Sequence, residues 1–397
     1  MNASPKSERF DFVDGLRGIA AFLVVFDHLL FNSGPPLLGP LAKLFPNPLP
    51  SICIHGTLGV QIFFVLSGYV IAHSLRGTRV TSAVVGNFIL RRQARLDPPY
   101  WAAIVLALVL NRIELALPGL SSHSMPELSN VALNSFYLQE FFHAQPILSV
   151  AWTLCIEIQF YLVFISVMWI AESADGQKLP LNRAKWLLFF SCLGSLAYVA
   201  CFANGNYEGP WFTGYWFYFA GGVICYWASN GRIQTYFFWM VAAAFVVFSA
   251  ICFRVEPVET LGVTTMTRII TARQLTGLVT ILLLFACGIT RNQSKWLSNA
   301  VFQYLGKISY SLYLTHMVIL SAFVRLTYKL APPTVYGSLL CLSVGAVGSL
   351  VFAHLFYLCI EKPSVRFAKW LRRENLSDEQ QIKVESQENA TCLSASV

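Results

Sequence analysis

The sequence predicts an all-α fold: a polytopic integral membrane helix bundle with about ten transmembrane helices and both termini in the cytoplasm. Three observations predict it. Hydrophobic residues make up 56% of the 397 residues and charged residues only 12%, about half the charged share of a typical soluble domain. Ten apolar stretches approach the roughly 20 residues that a helix needs to cross a bilayer. Lys and Arg are concentrated in alternate connections, which is typical of cytoplasmic loops.

The ten predicted spans follow one another with short connections, and an even number of spans places both chain ends on one side. Basic clusters precede span one and follow spans two, four, six, eight and ten, so the positive-inside rule makes that side cytoplasmic. The opposite loops are poorer in Lys and Arg, except between spans seven and eight. The predicted spans are residues 12–31, 56–75, 99–117, 148–170, 186–203, 212–228, 235–253, 274–290, 308–327 and 336–360.

Two polar segments lie outside these spans. Residues 118–147 contain no Lys or Arg, and their part 128–143 is too short and too polar to cross the bilayer. We expect it to lie at the membrane interface. The polar end of the chain predicts a disordered cytoplasmic tail over 374–397, which leaves residues 1–373 as the membrane domain.

Composition also excludes two classes of function. The net charge of +8 would suit nucleic acid in a soluble protein, but the basic residues cluster in a few loops beside the lipid bilayer. We therefore expect no nucleic-acid partner. The ten cysteines lie mostly inside apolar runs, without the spacing of a metal site. We expect packed small side chains and no metal.

The first span carries ionisable residues that a membrane helix rarely keeps. Such residues cost about 2.5–3.5 kcal/mol each at the bilayer centre. On a helix, the side chains of Arg17 and His28 point in directions about 20° apart around the axis, and the two residues are about 16 Å apart along it. Asp14 points within about 40° of the same direction. A neutral imidazole in a dry site suits a general base. The alternative is a His that only makes hydrogen bonds between helices, or one that lies at the outer membrane interface.

The approach to span three carries two closely spaced arginines in the sequence FILRRQARLDPPYW, residues 88–101. Arg92 and Arg95 are three positions apart and share a helix face. Forked guanidinium groups suit phosphate oxygens. Alternatively, they only fix topology and bind lipid headgroups. We expect Pro98 and Pro99 to reset the chain before the span.

Polar residues in three further spans complete the candidates. Glu157 lies inside span four, where a carboxylate needs an Arg or His partner or a proton; it could orient His28, hold an acceptor, or only form a structural ion pair. In span nine, Tyr313 and His316 share a stripe with Ser309, which suits packing as well as catalysis. Gly68, next to Ser67 in span two, predicts a close-packing point or a distorted helix.

Six segments in this order resemble the membrane acyltransferase-3 family over about residues 9–370. They are FDFVDGLRGIAAFLVVFDH, GVQIFFVLSGYVI, FILRRQARLDPPYW, WTLCIEIQFYL, ISYSLYLTH and IEKP. The resemblance implies transfer of an acyl group, most often acetyl, from cytoplasmic acyl-CoA to hydroxyl groups. Acceptors in the family are typically surface glycans, lipid-linked sugars, peptidoglycan or small molecules. It also implies a bacterial cytoplasmic (inner) membrane.

The family's motifs fall on particular residues of this sequence. Its Arg-x10-His pair falls on Arg17 and His28, its RxxR motif on Arg92 and Arg95, and the Glu of its Trp-Ser-Leu-x-Val-Glu pattern on Glu157. Its late Tyr/His helix falls on Tyr313 and His316, and its closing Glu-x-Pro on Glu361 and Pro363.

Two positions depart from the family pattern. Thr153 stands where Ser is usual, which keeps the hydroxyl group. Ile158 stands where a second Glu is common, so a role for that second carboxylate is in doubt.

Together these residues predict an acyl-CoA-dependent O-acyltransferase that needs acetyl-CoA as donor and no metal. Arg92 and Arg95 would bind the phosphates of CoA. His28 would be the general base that deprotonates either the acceptor hydroxyl directly or an intermediate nucleophile. Arg17 would stabilise the CoA moiety or developing negative charge, and Glu157 would orient His28 or hold a carbohydrate-type or small-molecule acceptor. Two other classes remain open: a proton-coupled transporter, and a protein that only moves an acyl group across the membrane.

Overall fold

A computed structural model of the chain describes residues 10–31, 58–116, 124–173, 180–202, 209–254, 263–331 and 334–371. This part of the chain is helical, with short turns between helices. We number its α-helices in chain order. They are α1 (Asp11–Phe31), α2 (Gly59–Ser74), α3 (Ser82–Ala116), α4 (Leu128–Ser135), α5 (Trp152–Ser173), α6 (Pro180–Cys201), α7 (Trp216–Ser229), α8 (Thr235–Arg254), α9 (Val263–Ile289), α10 (Ala300–Leu330) and α11 (Val335–Phe356).

Each predicted span coincides with one of these helices, and α4 is the one additional α-helix among the described residues. Seven helices of the described part are long and apolar enough to cross a membrane, and α2 is a shorter apolar helix. The predicted polytopic membrane helix bundle is therefore confirmed. The predicted tail over 374–397 lies outside the described residues.

The largest departure from prediction concerns α3. This helix begins at Ser82 and continues through Pro98 and Pro99, so the predicted break before span three is wrong. Each proline removes a backbone hydrogen bond, but tertiary contacts hold the chain at this point. The Tyr310 hydroxyl donates to the Leu96 carbonyl at 2.9 Å. The RxxR segment is thus part of one long helix.

Glycines set the two closest helix crossings that position the site. A Cβ on Gly306 of α10 would lie 2.1 Å from the Asp14 carbonyl oxygen of α1, and Gly18 faces the same contact from α1. A Cβ on Gly68 of α2 would lie 2.0 Å from the Phe219 carbonyl oxygen of α7. The close-packing point predicted at Gly68 is therefore confirmed. Small residues allow this approach of two helix backbones.

The apolar side chains divide between a core and an outward surface. A cluster between α1, α10 and α11 includes Ala21 and Leu312 and lies directly around the first helix. Large hydrophobic residues such as Val105, Trp239 and Val351 are exposed on the outside of the bundle. An exposed surface of this kind suits contact with lipid.

The segment that begins at the end of α4 enters the bundle instead of lying wholly at the interface. Asn134 and Gln139 are fully buried, and Asn134 satisfies neighbouring backbone groups, donating to Gln145 O at 3.1 Å and accepting from Ile147 N at 2.9 Å. Such bonds allow irregular backbone to be buried.

Tyr137 connects this segment to α3. It has a positive φ of 61°, stacks on Tyr100 with ring centroids 4.4 Å apart, and donates to Asp97 Oδ1 at 2.9 Å. Burial raises the pKa of the Tyr137 hydroxyl, so it remains a donor. The segment therefore packs two residues from Arg95.

Candidate active site

A cavity of about 670 Å³ opens between α1, α2, α3, α5 and α10 and is closed on one side by the chain after α11. Its mouth lies near the start of α10, where Lys307 and Lys369 are exposed. Its inner end lies at Thr153 and Tyr313. From Gln303 to Tyr313 the wall follows α10 for ten residues, about 15 Å.

Three arginines predicted from the sequence converge on this cavity. Arg17 comes from α1, and Arg92 and Arg95 come from α3. Arg92 lies over the Tyr161 ring, with its guanidinium carbon 4.5 Å from the centroid. Arg95 Nε is buried and has no hydrogen-bond partner among the described residues. Because buried donors are normally paired, this guanidinium is suited to an anionic ligand.

The charge of the lining favours anions. Five basic side chains line the cavity, the three arginines together with Lys307 and Lys369. Three acidic side chains oppose them: Asp14, Glu157 and Glu361. A surplus of cations in a partly enclosed, low-dielectric site attracts a polyanion strongly.

Glu157 lies among the arginines and not against His28. Its Oε1 accepts hydrogen bonds from the Ser67 hydroxyl at 2.7 Å and from the Tyr161 hydroxyl. Tyr161 in turn accepts from Arg92 Nη1 at 3.4 Å. Glu157 therefore organises the cavity wall around Arg92. The sequence singled out neither Ser67 nor Tyr161 for this role, since neither belongs to a charged pattern.

Two hydroxyl groups meet at the inner end of the cavity. Thr153 Oγ1 and the Tyr313 hydroxyl are 2.7 Å apart, and Tyr313 also donates to the Val150 carbonyl at 3.2 Å. The Phe63 ring packs against Tyr313 with centroids 5.7 Å apart. The hydroxyl that Thr153 retains in place of Ser is thus used in this contact.

His28 and His316 face each other directly behind Tyr313. His28 Nδ1 and His316 Nε2 are 3.1 Å apart, and the rings of Tyr313 and His316 are 6.0 Å apart. His316 is fully buried. The pair joins α1 to α10, although its members are 288 positions apart in the sequence.

The hydrogen bonds of this pair determine which nitrogens carry protons. His316 Nδ1 faces the carbonyl oxygens of Leu312 and Tyr313 at 3.1 and 2.7 Å. Carbonyls only accept, so Nδ1 carries the proton and Nε2 of the neutral ring is an acceptor. His28 Nδ1 must then donate to it, which leaves His28 Nε2 unprotonated. This tautomer is inferred from the partners, as it must be without observed hydrogens.

His28 has a second polar partner. The ring is also hydrogen-bonded to the backbone of Val24, one helical turn earlier. With the Nδ1 proton donated to His316, the lone pair on Nε2 is the basic group.

Glu361 closes the side of the cavity at a local change of helix type. Residues Tyr357–Glu361 form a π-helical segment, a feature that is frequent at functional sites. Buried Glu361 accepts from the Ser311 backbone N–H at 3.1 Å and from the Ser311 hydroxyl at 2.5 Å. Ser309 also lines the cavity, so the polar stripe of α10 is divided between the cavity and the His pair.

Three features remain: the position of Asp14, the possibility of a metal site, and the basic residues at the mouth of the cavity. Asp14 lines the cavity one helical turn before Arg17. No group of three or more His, Cys, Asp or Glu side chains within the described ranges is arranged to hold a metal ion. Lys307 and Lys369 were missed by the sequence reasoning, because isolated lysines at helix ends also fit membrane topology alone.

Comparison with known proteins identifies the family of the chain. The acyltransferase domain family, acyltransferase-3, matches residues 10–358. A protein of Staphylococcus aureus (strain COL) with the provisional name O-acetyltransferase is 25% identical over 386 residues, covering 88% of this chain and 56% of the relative. The protein provisionally named membrane-bound transacylase BcsY of Komagataeibacter xylinus is 28% identical over 221 residues, covering 53% of this chain and 46% of the relative.

A third relative has a named acceptor. Peptidoglycan O-acetyltransferase OatA of Listeria monocytogenes is 32% identical over 162 residues, covering 38% of this chain and 23% of the relative. The chain thus spans little more than half, or less, of the length of these relatives. No solved structure matches the chain. Because the family match covers most of the sequence, the chain belongs to the membrane acyltransferase-3 family.

Proposed function

We propose that this protein transfers an acyl group, acetyl in the first instance, from cytoplasmic acyl-CoA to a hydroxyl group of a carbohydrate-type acceptor. The acceptor class comprises surface polysaccharide, lipid-linked sugar and glycosylated small molecules. The observation that carries the proposal is a cavity with three arginines in its wall that ends beside a His pair with one basic nitrogen. The protein acts in the bacterial cytoplasmic membrane.

The arginine wall supports a CoA donor. CoA is a polyanion, and Arg92 and Arg95 present forked guanidinium groups that suit its phosphate oxygens. The unpartnered Nε of Arg95 gains a hydrogen bond when a phosphate binds. The inner end of the cavity takes the uncharged thioester, which would face the aromatic rings of Phe63 and Tyr313 there.

His28 acts as general base in this mechanism. Its Nε2 takes the proton from the acceptor hydroxyl, whose oxygen attacks the thioester carbon. The carbon–sulfur bond breaks, and the proton passes to the departing thiolate, so the products are the acylated acceptor and free CoA. The Arg17 guanidinium stabilises the anionic CoA moiety, because it lines the cavity together with Arg95, about 16 Å from His28 along the axis of α1. Buried His316 and half-buried His28 leave little room for water beside the base, which limits thioester hydrolysis.

Glu157 acts on the donor side. Its bonds to Ser67 and Tyr161 hold the side chain over which Arg92 stacks. We therefore propose that Glu157 positions the donor-binding wall.

Release of CoA from acetyl-CoA by the purified protein tests this function. Wild type is compared with His28→Ala and with the double variant Arg92→Ala/Arg95→Ala. His143→Ala and Arg291→Ala are matched controls, because both side chains are exposed and outside the cavity. We expect His28→Ala to release CoA at least a hundredfold more slowly and the Arg variant to need far more acetyl-CoA.

The two outcomes separate the function classes. If wild type and both controls release CoA and the site variants do not, the transferase and its two sites stand. If wild type neither binds nor consumes acetyl-CoA, the transferase proposal fails. Proton-coupled uptake in vesicles then becomes the next measurement, since the same buried ionisable groups fit a carrier.

A further inference from the structure

A second cavity of about 700 Å³ lies at the opposite ends of the same helices. We call the first cavity, in which we place acyl-CoA, the donor cavity. On α3, Arg92, Arg95 and Leu96 line the donor cavity. Residues of the stretch 107–114 line the second cavity, which begins about 16 Å further along the same helix. On α10, the donor cavity ends at Tyr313 and the second cavity begins at Val318. The two cavities therefore open toward opposite faces of the membrane.

Half of the second cavity's lining is polar. Its amide, carboxylate, guanidinium and hydroxyl groups supply both hydrogen-bond donors and acceptors. Its charged groups are two carboxylates and one guanidinium, which disfavours a polyanion such as CoA. The polar residues are Asn111, Glu114, Ser124, Glu127, Asn130, Gln145, Ser321 and Arg325.

An ion pair connects the two walls of this cavity. Arg325 Nη1 of α10 donates to Glu114 Oε2 of α3 at 3.0 Å, and both side chains are partly exposed. Such a pair adds little stability, so both groups can also turn toward a ligand. Each group also keeps hydrogen-bonding capacity for a ligand, because a guanidinium has five donors and a carboxylate about four acceptor positions.

The chain between the cavities joins them physically. Gln145 and Ile147 line the second cavity, and three residues later the Val150 carbonyl accepts from the Tyr313 hydroxyl at the inner end of the donor cavity. Asn134 secures this connection, since it donates to Asn130 Oδ1 at 2.7 Å and accepts from Ile147 N. Only three positions along the chain therefore separate Ile147, in the lining of the second cavity, from the carbonyl that contacts Tyr313 beside the His pair.

We propose that the second cavity binds the acceptor as a neutral, polyhydroxylated sugar chain that enters from the side opposite the acyl-CoA. Amide and carboxylate side chains bind sugar hydroxyls, and the mixed lining with a small negative surplus fits a neutral glycan better than lipid or nucleotide. This inference rests on the proposed transferase function. The protein then binds its two substrates on opposite faces and brings them together at Tyr313.

Filling the cavity tests this site. Leu108→Trp places an indole in the lining of α3, and Val105→Trp is the matched control because Val105 is 58% exposed on the outer surface of the same helix. In cells that make each variant, we measure base-labile acetate on envelope glycans against cells without the protein. CoA release from acetyl-CoA is measured on the purified variants.

We expect Leu108→Trp to lower glycan acetate at least tenfold more than it lowers CoA release, whereas Val105→Trp behaves like wild type in both assays. Ser321→Leu, from the facing wall on α10, should repeat the effect and replaces Leu108→Trp if that variant does not accumulate.

Three results overturn the proposal. They are wild-type glycan acetate in both cavity variants, an equal loss in both assays, and wild-type cells without glycan acetate above background. Failure of CoA release by the wild-type protein would instead remove the transferase function itself.

Discussion

Replacing His316 by Leu tests whether His28 depends on its partner across the helix interface. His316 Nε2 accepts from His28 Nδ1 at 3.1 Å, and Leu has no acceptor. A buried donor left without a partner costs about 1–3 kcal/mol. Because the Val24 backbone remains as a second partner, we expect the lower part of this range, about 1–2 kcal/mol, or a roughly 5- to 30-fold lower kcat.

The assay is CoA release over a range of acetyl-CoA concentrations, which separates kcat from KM. His316 does not line the donor cavity, so KM for acetyl-CoA should stay within twofold of wild type. His316→Gln is the matched rescue variant, because its amide oxygen can accept from His28 Nδ1. We expect it to recover most of the lost kcat.

Nitrogen NMR of His-labelled protein provides a readout that a purely structural role would not change. The wild-type protein should show His28 as the Nδ1–H tautomer, assigned by loss of its signal in His28→Ala, and His316→Leu should raise the share of the other tautomer, because one of the two acceptors is lost. An unchanged kcat, a rise in KM alone, or a Gln variant no better than Leu would refute the reasoning.

Two further predictions concern the mouth of the donor cavity and the crossing of α2 and α7 at Gly68. Lys307→Ala combined with Lys369→Ala should raise KM for acetyl-CoA by about 2- to 30-fold with kcat unchanged, and the increase should shrink at high salt; equal KM values at low salt would contradict a donor site there. Gly68→Ala should lower the free energy of unfolding by about 1–3 kcal/mol, because its Cβ would meet the Phe219 backbone. Gly194→Ala, whose Cβ meets nothing within 4 Å, is the control in a thermal unfolding measurement.

The sequence alone was sufficient for the helices and for singling out three arginines, Arg17, Arg92 and Arg95, which line one cavity. Each apolar run became a helix because a chain in lipid must satisfy its own backbone hydrogen bonds, and hydropathy measures that requirement residue by residue. The spacing of Arg92 and Arg95 placed both on one side of α3, since helix periodicity is local. The close packing at Gly68 was likewise visible from residue size.

The continuity of α3 through Pro98 and Pro99 could not be predicted from local rules. Proline propensity favours a break, but Tyr310 and Tyr137 hold the chain directly before the two prolines with bonds to Leu96 and Asp97. The burial of Asn134 likewise depends on partners up to thirteen residues away. In both cases tertiary contacts outweighed a local preference.

The sequence by itself determined that His28 and Arg17 lie on one membrane helix, because 3.6 residues per turn fixes their relative directions. Only the tertiary structure decided what each of them faces. Arg17 lines the cavity. His28 is instead hydrogen-bonded to His316 on α10, which lies 288 positions later in the chain. Helix periodicity is set by neighbouring backbone groups, but a hydrogen bond between helices depends on how they pack, which the Gly18 and Gly306 crossing determines here.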